Sequence, residues 1–122
     1  MIKILIVDEE ASIRRGLRMR LNVETDFFVT GETGDGWEAL RLVRELQPDV
    51  VVTGIQLSGM DGITLTERLH RDFPNCPVVV LSLYDEQSNR ERALKAGASA
   101  FVSKQKPDGE LIEAIRSIES KN

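Results

Sequence analysis

The sequence is poor in residues that most often carry thiol or acid–base chemistry, with one cysteine, one histidine, one tryptophan and one tyrosine in 122 residues. A lone Cys76 excludes an intrachain disulfide. The single His70 falls in an unrelated helical pattern, so Cys76 reads as a packed or surface thiol, not a nucleophile. Basic excess is also missing: 16 Lys and Arg against 20 Asp and Glu leave a net charge of −4, which gives this chain no electrostatic footprint for nucleic acid. Long apolar runs are absent too. Met1 leads into Ile2-Lys3-Ile4-Leu5-Ile6-Val7, too short for a transmembrane span and without a cleavage signal, so a cytoplasmic protein with no membrane partner is expected. Repeats, low-complexity tracts and internal linkers are likewise lacking. One domain over residues 1–122 is expected, long enough to bury a core.

What the chain does contain is a regular alternation of two hydrophobic periods. Ile2–Val7 reads as a buried strand, and Ile13, Leu17 and Leu21 mark one face of a helix over about Ala11–Leu21. Asp26–Glu32 is a more polar strand suited to a sheet edge, broken by Gly34-Asp35-Gly36. Trp37, Leu40, Val43 and Leu46 line a second helix, stopped at Gln47-Pro48 because proline disfavours helical geometry in the residue before it. The β-branched run Val50-Val51-Val52 lies in a strand over Asp49–Thr53. A third helix follows the Gly59–Gly62 turn with Leu65, Leu69 and Phe73 inward; Asp61 is read as its cap, and Pro74 closes it. Pro77–Ser82 is a fourth strand, and about Asp85–Ala96 a weaker helix whose apolar face is Ala93, Leu94 and Ala96, with Gly97 as C-cap. Ser99–Ser103 is a fifth strand. Pro107 then opens a last helix with Leu111, Ile115 and Ile118 inward. Such alternation predicts an α/β fold: a five-stranded parallel sheet in the order 2-1-3-4-5 flanked by five helices, the flavodoxin-like arrangement.

In that topology the carboxyl ends of four strands deliver polar groups to one rim, where open α/β sheets bind ligands. Strand 1 supplies Asp8 and Glu9, strand 3 position 54, strand 4 Ser82 and strand 5 Lys104. Adjacent carboxylates beside a backbone carbonyl suit a hard divalent cation such as Mg²⁺. A hydroxyl and an ammonium suit the oxygens of a phosphoryl group. Singly, Asp8-Glu9-Glu10 could merely favour a helix N-terminus, and Ser82 or Lys104 could be loop polars. Their joint placement at successive strand ends argues for a site. Position 54, at its centre, is a glycine.

Four stretches carry a family resemblance: Ile4-Leu-Ile-Val-Asp-Glu-Glu10, Asp49-Val-Val-Val-Thr-Gly-Ile-Gln-Leu-Ser-Gly-Met-Asp-Gly62, Pro77-Val-Val-Val-Leu-Ser82 and Ala93-Leu-Lys-Ala-Gly-Ala-Ser-Ala-Phe-Val-Ser-Lys104. Over essentially the whole chain they resemble the receiver domain of two-component response regulators, with wording close to the LuxR-type class. The resemblance implies a sensor histidine kinase donating a phosphoryl group to an aspartate at the end of strand 3. It implies Mg²⁺ held by Asp8, Glu9 and the Gln56 carbonyl, phosphoryl partners Ser82 and Lys104, and a switch aromatic at Phe101. It also implies an output face on the fourth helix, fifth strand and fifth helix, including Arg90, Arg92 and Lys95. A kinase, an output domain or a second copy are the partners implied, and the chain fits the N-terminal part of a longer DNA-binding regulator.

The departures are Ser58 and Gln105, where prolines are usual, and Gly54 at the acceptor position. A glycine can neither form an acyl phosphate nor ligate a metal through a side chain. Weak Mg²⁺ binding is therefore expected, and Lys104 is expected to turn inward and pair with Asp8 or Glu9. Two origins fit: a degenerate receiver acting as an interaction module, or an acceptor-minus form of an ordinary phosphorylatable receiver. Two other classes have less support. A flavodoxin-like small-molecule binder would need a phosphate-cradling loop where Asp8-Glu9-Glu10 stands, and a hydrolase using Ser82 would lack a base.

Overall fold

A computed structural model describes residues 1–83, 87–104 and 109–120. Its elements run β1 (Ile2–Val7), α1 (Ala11–Leu21), β2 (Phe27–Thr33), α2 (Gly36–Leu46) and β3 (Val50–Thr53), then α3 (Gly62–Asp72), β4 (Val78–Ser82), α4 (Gln87–Lys95), β5 (Ala100–Ser103) and α5 (Gly109–Ser120). The strands form one parallel sheet in the order β2-β1-β3-β4-β5, as the alternation predicts. The β-rich runs at Ile4–Val7, Val50–Thr53 and Val78–Ser82 are buried throughout because helices cover both faces.

Side-chain alternation splits the core in two. Leu5, Val7, Val51, Val78, Val80 and Phe101 pack against α2, α3 and α4, with Val43, Leu65 and Leu69 from the helices. Ile4, Ile6, Val50, Val52, Val79 and Val102 pack on the opposite face against α1 and α5, with Leu21, Leu111 and Ile115. Truncating a fully buried leucine such as Leu65 would cost about 2–5 kcal/mol.

Local chemistry sets the helix ends. Asp35 caps α2 by accepting the backbone N–H groups of Trp37 and Glu38, and Asp61 caps α3 by accepting that of Thr64 at 2.9 Å, the capping role read from the sequence. Gln47 takes the left-handed conformation with φ 49°, so α2 ends on an αL residue before Pro48. Gly97, with φ 108°, caps the end of α4 and lies so close to the His70 ring that a Cβ there would overlap it.

Several details depart from the sequence reading. Trp37 is 53% exposed, with the Arg68 guanidinium 4.9 Å from its ring; of the stripe expected on α2, Val43 is buried as read, Leu40 and Leu46 are half-buried, and Ala39 faces inward as well. Leu94 is 47% exposed and only Ala93 of α4 is buried, since Leu94 sits 100° further round the helix. Ile13 and Leu17 are half-buried where Leu21 is fully buried. β2 begins at Phe27, β4 at Val78 and β5 at Ala100, one residue inside the expected bounds. α4 ends at Lys95, and Phe73 is the half-buried cap of α3 rather than part of it. Asp85, Gln105 and Pro107 lie outside the described residues. Cys76 is half-buried with Sγ 3.6 Å from the Pro48 carbonyl, and burial, with help from Asp49 and Glu119, pushes its thiol up to about 11. That thiol is not activated.

Candidate functional site

The site is assembled where β1, β3, β4 and β5 end. Asp8 follows β1 directly, and its backbone N–H continues the ladder to the Thr33 carbonyl at 3.0 Å. Its side chain is therefore aimed over the sheet edge, and the residue is 3% exposed. One carboxylate oxygen accepts the Glu10 N–H at 3.0 Å; the other takes the Lys104 Nζ at 2.6 Å. Lys104 reaches it from the end of β5, anchored by its backbone N–H on the Ser82 carbonyl at 2.7 Å. Of the two partners the sequence offered Lys104, the structure shows Asp8.

A cation also sits behind the acidic loop. Arg14 donates through Nη1 to the Asp8 carbonyl at 2.6 Å and through Nε to Glu32 at 3.2 Å, while Arg18 meets the same Glu32 carboxylate. The guanidinium passes beside Gly34, where a Cβ would lie 3.0 Å from Nη1. Sequence reasoning missed Arg14. It lies beside the apolar stripe of α1 and carries no motif; its partner is a backbone oxygen, which no pattern of side chains reveals.

Position 54 lies between these groups. The Gly54 N–H bonds to the Val7 carbonyl at 2.8 Å, and its own carbonyl accepts the Thr53 hydroxyl at 2.9 Å. Its φ is not in the left-handed region, so the backbone itself does not demand glycine. A Cβ built there would stand 2.7 Å from Asp8 Oδ2 and 3.5 Å from Lys104 Nζ. The Asp8 carboxylate stands in the place a side chain would enter, with the ammonium at ordinary contact distance.

Asp8, Glu9, Gln56, Ser82 and Lys104 line one cavity of about 200 Å³, together with Asn89 of α4. Ser82 is buried, whereas Glu9 and Gln56 are exposed. Phe101, one strand away, is 5% exposed with the Arg90 guanidinium 4.8 Å over its ring, and Lys95 is exposed at the end of α4. The structure thus gathers the rim residues in one cavity and puts Phe101, Arg90 and Lys95 on the neighbouring α4–β5 side.

These donors do not fit a resident divalent ion. Mg²⁺ asks for near-octahedral oxygen ligands, yet both oxygens of Asp8 are engaged, one by an ammonium. Among the described residues, no group of three or more carboxylate, imidazole or thiolate side chains could hold a metal.

The fold and the strand-end cavity place the chain among known proteins. The family model "Response regulator receiver domain" matches residues 4–116. The chain is a member of that receiver family. It is 35% identical to the response regulator protein VraR of Staphylococcus saprophyticus over 115 residues, 94% of this chain and 55% of that protein. It is 34% identical to the transcriptional regulatory protein LiaR of Bacillus subtilis over 116 residues, 95% of this chain and 55% of that protein. A LuxR-family two-component response regulator from Aurantimonas sp. SI85-9A1 superposes with a TM-score of 0.93 at 30% identity, covering 98% of this chain and 86% of that one. The chain spans about half the length of the curated relatives it matches. It is a receiver domain of the kind carried by two-component response regulators, with a LuxR-family member among its structural neighbours. Receivers commonly bind Mg²⁺ at an acidic pocket.

Proposed function

We propose that this receiver signals through protein–protein contact without phosphoryl transfer to residue 54. One observation carries the reading: the position between Asp8 and Lys104 holds no side chain, and the two charged groups close over it at 2.6 Å. A phosphoryl acceptor must offer a carboxylate within reach of the lysine and the strand-4 hydroxyl. Here the lysine is instead spent on Asp8. In this reading Ser82 and Lys104 are the residual phosphoryl partners, while Asp8, Glu9 and the Gln56 carbonyl form a weak Mg²⁺ site. Arg90, Lys95 and Phe101 mark the contact face. The partners are a sensor histidine kinase, an output domain or a second copy, and the chain acts in the cytoplasm as a binding module, not an enzyme. A DNA-binding output following residue 122 fits the relatives, among them one named as a transcriptional regulatory protein.

A second reading, an acceptor-minus form of an ordinary phosphorylatable receiver, is favoured by the otherwise complete rim: Asp8, Glu9, Ser82 and Lys104 share one cavity. Both readings make the same first prediction. Incubation with acetyl phosphate and Mg²⁺, followed by intact mass, should show no added phosphoryl group. A hydroxylamine-labile adduct would mean that another carboxylate has become the acceptor.

A further inference from the structure

We propose that Lys104 is the built-in cation of the strand-end cavity: its ammonium holds the place on Asp8 that a divalent metal would take, and so leaves the pocket only weak binding of Mg²⁺ and Mn²⁺. The inference rests on reading position 54 as the acidic ligand that is missing.

Three observations carry it. First, the contact is close and shielded: Nζ to Oδ2 is 2.6 Å, with side-chain exposures of 16% for Lys104 and 4% for Asp8. An ion pair so enclosed is screened far less than a surface pair. Second, both carboxylate oxygens of Asp8 already have a partner, Lys104 on one and the Glu10 N–H on the other, and Arg14 holds its carbonyl, so a metal on Asp8 competes with an ammonium already in place. Third, the glycine leaves room for the Asp8 carboxylate in its present place. A Cβ at 54 would stand 2.7 Å from Oδ2, so a side chain there would push that carboxylate aside, while Nζ at 3.5 Å would be in ordinary contact.

The pair has a mechanical consequence. It joins residues 96 apart in sequence, the end of β5 to the end of β1, across β3 and β4. Lys104 is fixed at its backbone by the Ser82 carbonyl, so the strap is held at both ends. The cavity's charged lining is Asp8, Glu9 and Glu10 against Lys104, a formal −2 that would be −3 without the ammonium.

The test is Mn²⁺ binding followed by electron paramagnetic resonance, on the 122-residue chain and on Lys104→Arg and Lys104→Gln. The chain and the arginine variant should show no saturable site in the low-millimolar range. Lys104→Gln frees Asp8 and should bind at least about tenfold tighter, since a unit charge at ion-pair distance is worth more than that even at an effective dielectric near 20. Equal affinity in all three proteins overturns the proposal. Should Lys104→Gln fail to fold, the parent decides alone: Mg²⁺ should leave the amide resonances of Asp8, Glu9 and Lys104 in place, and a shift that saturates in the low-millimolar range overturns it. The phosphoryl test fails separately. An adduct without metal binding removes the reading of position 54 and leaves Lys104 as the cation, whereas metal binding without an adduct does the reverse.

Discussion

At the scale of single residues, two glycines with the same composition have opposite meanings. A Cβ at Gly62 would overlap the Gly54 carbonyl oxygen and crowd Ile55, backbone that cannot swing aside as a side chain can. Gly62→Ala should therefore displace the segment after β3 and cost about 3 kcal/mol or more, as overpacking of rigid surroundings does. Gly16 stands in the middle of α1 with nothing within 4 Å of its would-be Cβ and no positive φ. Gly16→Ala should stabilise the protein by about 0.5–1 kcal/mol through helix propensity and a less flexible unfolded chain. Urea titration of both variants checks the pair of signs; a destabilised Gly16→Ala would reveal packing on α1 that the structure does not show. The sign at Gly16, inside the helix expected over Ala11–Leu21, was legible in the sequence, whereas that at Gly62, in the turn before α3, was not. What separates them is a backbone oxygen from position 54, brought near only by the turn into α3.

At the scale of elements, legibility followed the spacing of apolar residues. β1 and α1 have the bounds that the hydrophobic periods predict, because every inward position there is apolar or leads into one. The edge placement of β2 was legible from its polarity, since an edge strand buries less. Trp37 and Leu94 misled for one reason: large apolar side chains can stay on the surface when a cation stacks on them or when the helix has only one inward residue. α4 is the clearest case, with Ala93 its one buried residue and Arg90, stacked on Phe101, a further tie to β5. Local stability tracks buried apolar contact. Hydrogen exchange should therefore open α4 well before α3, which buries Leu65 and Leu69. Arg90→Ala should raise the exchange of α4 amides severalfold while leaving α3 unchanged, because a stack on a buried ring is worth about 1 kcal/mol. Equal slow exchange in α3 and α4 would show that α4 is anchored by something other than Ala93 and Arg90.

At the scale of the whole molecule, the two cores hold the sheet rigid while its rim is settled by charge. Arg116 of α5 binds Asp26 and Glu24 at the entrance to β2, so the edge strand and the last helix are tied at the end of the sheet remote from the cavity. The Asp8–Lys104 strap ties the opposite end. The strand-end rim was legible in the sequence because topology alone brings Asp8, Ser82 and Lys104 together; the choice of Asp8 over Glu9 was not, because it depends on which carboxylate the ladder to Thr33 turns inward. That choice leads to a prediction for the protein as a unit. Gly54→Asp places a further carboxylate beside the Asp8–Lys104 pair, changing the formal charge of the cavity lining from −2 to −3 and making two carboxylates compete for one ammonium. Without metal the variant should melt below the parent. Mg²⁺ should then raise its midpoint, because a ligand of the native state stabilises it by an amount that grows with concentration over Kd, while the parent's midpoint stays nearly constant. Scanning calorimetry with and without Mg²⁺ compares the two directly. If the parent gains as much from Mg²⁺ as Gly54→Asp does, Asp8 and Glu9 hold the ion unaided, and the lysine is not what closes this site.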